Sequence, residues 1–355
     1  MTDTMAAISY QERIQALRRT KIEHTREKLR RRGTLDIDDH GWVPWDEPIP
    51  FTPMPNHPDG KAYGIRAIGE HFRAWLQVHP VYIHPHSALA GAWVQVGIPG
   101  VGGWPEEARA DHLQPIFEKY NVLMPGIGGM NHIGPDMQIG LDLGWGGLLA
   151  KLRRYHKLNQ PTDPAFYEGE EAFVEGVQVW IGQHAHDARQ LAAQTADPQI
   201  RENLLQIAQM NEWLVEGPPR TFREACQFLA WFQSVDRMWA AGGGLGQIDE
   251  LLRPFYEADV AAGRLCDEEA VWCLASLFFN DTHYSQIGGP ATDGHDLTCP
   301  VSFMVLEAMH QLHIPINMAL RVHDDLDPSL LHQAVTNLFA DGTGVSYACA
   351  KGLDE

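Results

Sequence analysis

The sequence has few of the features that mark nucleic-acid-binding, secreted or membrane proteins. Its 355 residues include 27 Lys and Arg against 46 Asp and Glu, which gives a net charge of −19. An acidic chain is poorly suited to phosphate backbones, so a nucleic-acid partner is not expected. No apolar run reaches the roughly 18–20 residues of a membrane helix, and residues 1–15 lack the apolar segment of a signal peptide. We therefore expect a cytoplasmic protein that does not bind membranes.

Cysteine is also scarce, and its spacing excludes familiar uses. The five thiols are odd in number and widely spaced, and no CxxC pair is present; they are Cys226, Cys266, Cys273, Cys299 and Cys349. Structural zinc and iron–sulfur sites use closely paired cysteines, and disulfide frameworks use even numbers of them. The pattern predicts reduced thiols and no bound metal.

Signatures of common enzyme classes are missing as well. The glycine-rich segment 241–247 lacks the Lys-Ser/Thr of a P-loop, and no GxSxG motif occurs. The 18 histidines form only weak pairs. His310 and His313 share a predicted helix face, but we expect no nearby carboxylate to complete a metal site. A metal-dependent hydrolase remains one alternative, and the residues by themselves indicate no single chemistry.

The rest of the pattern alternates helices with short strands, which favours an α/β arrangement. Proline-rich residues 33–60 predict an extended arm. Strands are predicted at 92–98, at 316–323 with the sequence INMALRVH, and at 345–349. Gly140, Gly144, Gly146 and Gly147 weaken the helix predicted there, and for most of them we expect close packing of another backbone. Helices are predicted over 8–32, 61–78, 105–119, 135–157, 168–214 with a break near Pro198, 221–239, 248–262, 267–279, 298–312 and 328–340.

Five short elements, in order over roughly residues 125–345, resemble those of glycyl radical enzymes of the pyruvate formate-lyase and diol dehydratase branches. The first is His132 with Pro135 and Asp136, followed by a glycine-containing helix. The others are PPRTFREACQ at 218–227, GQIDELLRPFYEAD at 246–259, the pair Gly288-Gly289 with DGHD at 293–296, and RVH at 321–323 before the turn DGTG at 341–344. Each element is weak alone, and the shared order and spacing carry the resemblance.

The resemblance implies a fold: a ten-stranded α/β barrel built from two half-barrels. This chain would supply the helix-rich N-terminal part and the first half-barrel only. We expect residues 1–60 to form an N-terminal helix and Pro-rich arm. Residues 61–355 would then be the N-terminal portion of a pyruvate formate-lyase-like domain, incomplete at its C-terminus. Members of the family are roughly twice as long as this chain and are commonly homodimers.

The resemblance also implies a radical mechanism, in which a C-terminal glycine stores the radical and a central cysteine passes it to the substrate. Neither the Gly-Cys-x-Glu motif nor the Arg-Val-x-Gly-Tyr motif occurs in this sequence. Cys349 lies too early and lacks the glutamate, so it is a weak catalytic candidate, and an ordinary strand cysteine is the favoured interpretation. The glycyl radical would be installed by an S-adenosylmethionine-dependent iron–sulfur activase.

Substrate contacts implied by the resemblance are limited to His132 and Asp136, with a packing role for His132 as the open alternative. Gln247 stands where the family has an arginine. Ala241 and Gly242 stand near the positions at which the diol dehydratases carry a His-Ser pair, so glycerol is not the expected substrate.

We expect the chain to be part of a glycyl radical lyase or dehydratase that acts on a small organic substrate. The chain would be a subunit of a split enzyme or a truncated form, and it would be inactive alone. Its partners would be the activase and a C-terminal half as a separate chain; a non-catalytic scaffold on the same fold is the second alternative.

Overall fold

The computed structural model describes residues 8–35, 41–95, 97–108, 134–239, 243–342 and 344–350, with isolated positions between 108 and 134. Within these ranges the helices precede and then alternate with short strands. In chain order the elements are α1 (Tyr10–Arg32), α2 (Ile65–Val78), a 3₁₀ turn (Glu106–Ala108), α3 (Met137–Asn159), α4 (Ala165–Gln194), α5 (Pro198–Leu214), α6 (Phe222–Trp239), β1 (Gly246–Gln247), α7 (Ile248–Ala261), α8 (Asp267–Asn280), β2 (Ser285–Gly288), α9 (Pro300–Leu312), β3 (Met318–Val322), α10 (Pro328–Asp341) and β4 (Ser346–Cys349).

The four strands form one parallel sheet in the order β1-β2-β3-β4. Each successive pair is joined through helices, α7 and α8 between the first two strands, α9 and α10 between the others. Parallel neighbours need such crossovers because the chain must return to the same end of the sheet. The α/β prediction is confirmed by this arrangement.

One side of the sheet is buried against helices. Ile287, Met318 and Leu320 are at most 1% exposed and belong to the main hydrophobic core. The cross-strand register pairs Ile287 with Leu320, so both side chains lie on the same side. The alternate positions of these strands therefore lie on the opposite side, which is called the inner face below.

The helical layer depends on glycines where backbones meet. A Cβ at Gly69 of α2 would overlap the carbonyl oxygen of Gly169 in α4. In α3, Gly144 has φ +64° and a Cβ there would lie 2.6 Å from the nitrogen of Pro218. A Cβ at Gly140 would lie 2.7 Å from the Phe228 ring. The expectation of close packing against another backbone is confirmed at Gly144 and at Gly146, where a Cβ would lie 2.7 Å from the carbonyl oxygen of Glu216. Gly140 meets a side chain instead, and the atoms nearest to a Cβ at Gly147 belong to Leu143 of the same helix.

Most predicted helices are present, with differences at their ends. The break before Pro198 is confirmed, because Asp197 caps α5 by accepting hydrogen bonds from the amides of Gln199 and Ile200. The predicted strand at 92–98 is wrong for its described residues. There the carbonyl oxygen of Trp93 accepts from the amide of Val43 and no ladder forms. Of the helix predicted at 105–119, the structure describes the 3₁₀ turn and isolated positions only.

The expected division of the chain into residues 1–60 and 61–355 stays a prediction. Helix α1 of the first part packs against α8 and α9 of the second. In the part of the chain that the structure describes, no helix is both long and apolar enough to span a membrane.

Candidate functional site

The inner face of the sheet carries small and polar side chains. Its positions follow from the register, which pairs Gln286 with Ala319 and Ala319 with Ser346 in one row. The next row pairs Gly288, Arg321 and Ala348. Of these six residues only Gly288 is fully buried, whereas Ile287, Met318 and Leu320 on the helix side are buried and apolar. A face of this composition is suited to contact a small polar molecule rather than to pack into a core.

Gln247 and Arg321 meet across the intervening strand β2. The Gln247 side chain donates from Nε2 to the carbonyl oxygen of Gly288 at 2.6 Å. Its Oε1 accepts from Arg321 Nη1 at 3.2 Å. Because Nε2 must face a carbonyl, the amide has only one orientation compatible with both bonds. A Cβ at Gly289 would lie 2.7 Å from the Cβ of Arg321, so the arginine lies directly over this glycine.

Asp249 supports the same strand end from the core side. It is fully buried at the start of α7. Its Oδ2 accepts from the Gly288 amide at 2.8 Å and from Ser302 Oγ at 2.6 Å. Burial raises the pKa of Asp249 to about 6, although the hydrogen bonds from Ser302, Gly288 and Glu250 act to lower it. Both backbone groups of Gly288 are thus held, one by Asp249 and one by Gln247.

The turn after β3 is fixed by a second carboxylate. Asp296 accepts from His323 Nε2 at 3.0 Å and from the Asp327 amide at 3.0 Å. This ties the 293–296 loop to the beginning of α10, whose N-cap is Asp327. His323 is therefore already paired and contributes position rather than free charge to the inner face.

A cleft of about 310 Å³ opens at the start of the strands. Its lining includes Gln286 and Ala319 of the inner face, together with Asn317 and Tyr284 just before the strands. Gly134 also lines it, 4.0 Å in Cβ-to-Cα distance from Gly246 at the start of β1. The segment leading into α3 therefore approaches the sheet at this cleft.

Of the two substrate-binding residues expected from the sequence, the structure describes one. Asp136 is exposed and caps α3, its Oδ1 accepting from the Gln138 amide at 3.1 Å. It lies two residues beyond Gly134, hence beside the cleft. His132 lies outside the described residues. Asp136 thus has an established local role as a cap, and its contact with substrate stays a prediction.

Cys349 lies at the end of β4 and is exposed. The register pairs it with Val322 of β3, the position that follows Leu320 on the helix side of the sheet. Its side chain is therefore on the face opposite Arg321. This position does not support Cys349 as the catalytic thiol, and that role stays a weak prediction.

The histidine pair on α9 has a partner that the linear sequence did not reveal. Asp341, at the end of α10, accepts from His310 Nδ1 at 2.9 Å and lies 3.3 Å from His313 Nδ1. The expectation that no carboxylate lies nearby was wrong because the partner comes from a separate helix. Even so, among the described residues no group of three or more His, Cys, Asp or Glu is arranged to hold a metal ion.

The sequence predicted a strand at Arg321, but its position on the inner face was not predicted. The signal was available in the alternation of Met318, Leu320 and Val322 with Ala319 and Arg321, which puts a charge on the side away from the core. The strands β1 and β2 were missed because they are two and four residues long.

Comparisons with known proteins agree with this architecture. A family model described as pyruvate formate lyase-like matches residues 119–347. The isethionate sulfite-lyase of Nitratidesulfovibrio vulgaris is 29% identical over 206 residues, which are 50% of this chain and 24% of that protein. The chain thus matches about a quarter of the length of this curated relative.

Solved structures match almost the whole chain. A glycyl radical enzyme from Archaeoglobus fulgidus aligns with TM-score 0.71 and 18% identity, covering 94% of this chain and 51% of that one. The B12-independent glycerol dehydratase from Clostridium butyricum, in its glycerol-bound form, aligns with TM-score 0.67 and 16% identity, covering 95% and 50%. At these identities the likeness establishes the fold, a partial α/β barrel, and the chain spans about half of each solved protein.

Proposed function

Because the chain belongs to the pyruvate formate lyase-like family of glycyl radical enzymes, we propose that it forms the N-terminal half of a radical lyase or dehydratase. The enzyme would act on a small organic substrate by hydrogen abstraction from a thiyl radical. The loops carrying the catalytic cysteine and the radical glycine would be supplied by polypeptide outside these 355 residues.

The observation that carries this proposal is the coverage of the solved structures. About 94% of this chain aligns with about half of a glycyl radical enzyme. We assign its four parallel strands to the wall of the barrel. The inner face of that wall is small and polar, as a substrate-facing surface requires. Asp249 and Gln247 then serve as positioning residues that hold the end of β2.

The residues of this chain proposed to contact substrate are Arg321 on the inner face and the segment containing His132 and Asp136. Gly134, two residues before Asp136, lines the cleft. No thiol on the described part of the inner face is available for hydrogen abstraction, since Cys349 lies on the other side of the sheet. This supports assigning the thiyl radical to a loop outside the chain.

The cofactor implied by the family is a protein glycyl radical. It supplies the unpaired electron that the cysteine passes to the substrate. We propose that a radical S-adenosylmethionine activase installs it under anaerobic conditions, and that the working enzyme is a cytoplasmic homo-oligomer. The role left to the described residues is to bind and orient the substrate and to exclude water.

The DNA that follows the codon for Glu355 tests the proposal. We expect it to continue, in frame or as an adjacent gene, into Gly-Cys-x-Glu and Arg-Val-x-Gly-Tyr motifs. If neither motif is encoded there, the chain lacks the means for radical chemistry, and a binding or scaffold role on the same fold replaces the proposed function. No observation on the described residues favours the metal-dependent hydrolase.

A further inference from the structure

In the part of the chain that the structure describes, the inner face carries Arg321 without a carboxylate partner, and we propose that Arg321 binds the anionic group of the substrate. The substrate class would be a small organic acid, a carboxylate or a sulfonate. This assignment rests on the proposed function, because it concerns the same site, and it adds the charge of the molecule that the site accepts.

Arg321 has no carboxylate partner among the described residues. No Asp or Glu oxygen there forms an ion pair with it, whereas Arg253, in the helix that follows β1, pairs with Glu250. Arg321 is half-buried, so part of its hydration has been removed without a compensating anion. A ligand anion is the partner that such a group lacks.

The guanidinium of Arg321 also has hydrogen-bond donors that the described residues do not use. It carries five N–H donors, and the described residues use one, through Gln247. None of its nitrogens is both buried and without a partner, so the remaining donors reach open space. The planar fork of arginine matches carboxylate and sulfonate oxygens in pairs, which gives two charge-assisted hydrogen bonds to one group.

There is room for a ligand beside this group. The cross-strand neighbours of Arg321 are Gly288 and Ala348, and the preceding inner-face residue is Ala319. Their side chains are absent or a single methyl group, so nothing from the sheet itself covers the guanidinium. The cleft at the start of the strands shares Ala319 with this surface.

Gln247 fixes the arginine without neutralising it. An acidic residue at position 247 would neutralise Arg321 by forming an ion pair with it, and a basic residue there would repel its guanidinium. The neutral amide holds the guanidinium through Oε1 and is itself anchored through Nε2 to Gly288. Preorganisation of this kind lowers the entropy lost when a ligand binds.

Ligand-detected saturation-transfer NMR on the 355-residue chain tests the assignment. The probes are glycolate, 2-hydroxyethanesulfonate and the neutral ethylene glycol, at pH 7 and constant ionic strength. We expect at least one anion to bind and ethylene glycol not to bind. The chain carries a net charge of −19, so nonspecific electrostatics oppose anion binding, and a positive result reports a local site. The stronger of the two anions identifies the head group.

Variants locate the site. Arg321→Gln should weaken anion binding by about tenfold or more, as expected for loss of charge-assisted hydrogen bonds. Arg321→Lys, which keeps the charge but loses the fork, should weaken it by about threefold and serves if the first variant does not fold. Arg189→Gln is the matched control, because it removes the same charge from an exposed arginine on α4 that pairs with Glu212.

Binding that is unchanged in both Arg321 variants, or ethylene glycol binding as well as the anions, overturns the assignment. Either result leaves the proposed function intact, since other members of the fold bind neutral substrates such as the glycerol of the Clostridium butyricum structure. Conversely, absence of the radical motifs downstream would remove the proposed function while Arg321-dependent anion binding persisted. The two failures are therefore distinguishable.

Discussion

Gln247 and Arg321 are 74 positions apart in sequence, and their side chains meet across β2 with 3.2 Å between Oε1 and Nη1. The contact is possible because the end of β2 is Gly288 followed by Gly289, which place no side chain between the strands on either side. The Gly-Gly pair is thus the condition for the inner-face geometry.

Gly289→Ala should lower the free energy of unfolding by about 2–3 kcal/mol and displace Arg321. Gly289 has φ +95°, and the added methyl group would meet the Arg321 side chain at 2.7 Å. Urea unfolding measures the loss. Gly263→Ala is the matched control, since Gly263 also has positive φ (+65°) but open space around it, and it should cost only about 1 kcal/mol. Equal losses in the two variants would contradict the proposed contact.

Asp249→Asn should change how stability depends on pH. Burial raises the pKa of Asp249 from 3.8 to about 6. A carboxyl with a raised folded-state pKa favours folding below its unfolded pKa, and that contribution disappears as pH rises through the folded value. The wild type should therefore lose stability relative to the variant between about pH 4 and pH 6, by about 3 kcal/mol.

Urea unfolding of both proteins at pH 4, 5, 6 and 7 measures this difference. Asp236, whose pKa is also raised to about 6 by burial, is present in both proteins and cancels in the comparison. Parallel stability curves would show that Asp249 does not titrate in this window.

Gly69→Ala should destabilise the helical layer strongly, by about 3 kcal/mol or more. The methyl group would overlap the backbone of Gly169, and neither helix backbone can yield without separating α2 from α4. Gly103→Ala has nothing within 4 Å of its added Cβ and should be close to neutral. Thermal unfolding distinguishes the two, and a mild effect at Gly69 would contradict the close approach of these helices.

His57 should titrate above the usual histidine range. Its two ring nitrogens lie 2.9 Å from Asp59 Oδ1 and 2.9 Å from Glu107 Oε1, and hydrogen bonds to these two carboxylates raise the pKa of His57. A raised pKa means that the link between the Pro-rich arm and the 97–108 segment strengthens folding at low pH and weakens as pH rises through the folded value.

The imidazole C–H resonances of His57, assigned with a His57→Gln variant, report this pKa by NMR. Glu107→Gln should lower it by removing one of the two carboxylates. If the titration of His57 is the same in the wild type and in Glu107→Gln, the contact is not formed in solution.

The sequence allowed the fold class and the family to be predicted because its long helices and its spaced motifs are local signals. Asp249, Gly288, Gly289 and Arg321 were all recognised as members of family elements. What the sequence did not reveal is that these elements meet at one strand end, because that requires the register of strands two to five residues long.

Two errors have physical causes in tertiary contacts. The alternating segment at 92–98 resembles a strand, yet Trp93 is buried and donates its indole N–H to Asp281 at 3.0 Å. The backbone of this segment bonds to Val43 and to the carbonyl oxygen of Met238, which are not neighbours in a strand ladder. Asp341 reaches the α9 histidines from the end of another helix. Neither contact leaves a periodic trace in the sequence.

The most direct test of the central claim is electron paramagnetic resonance of the complete enzyme that contains this chain. After anaerobic incubation with its activase and S-adenosylmethionine, the enzyme should show an organic radical whose hyperfine pattern changes when the protein is grown on α-¹³C-glycine. The 355-residue chain treated in the same way should show none. Absence of a radical in the complete enzyme, or a spectrum that is insensitive to glycine labelling, would contradict the assignment of glycyl radical chemistry.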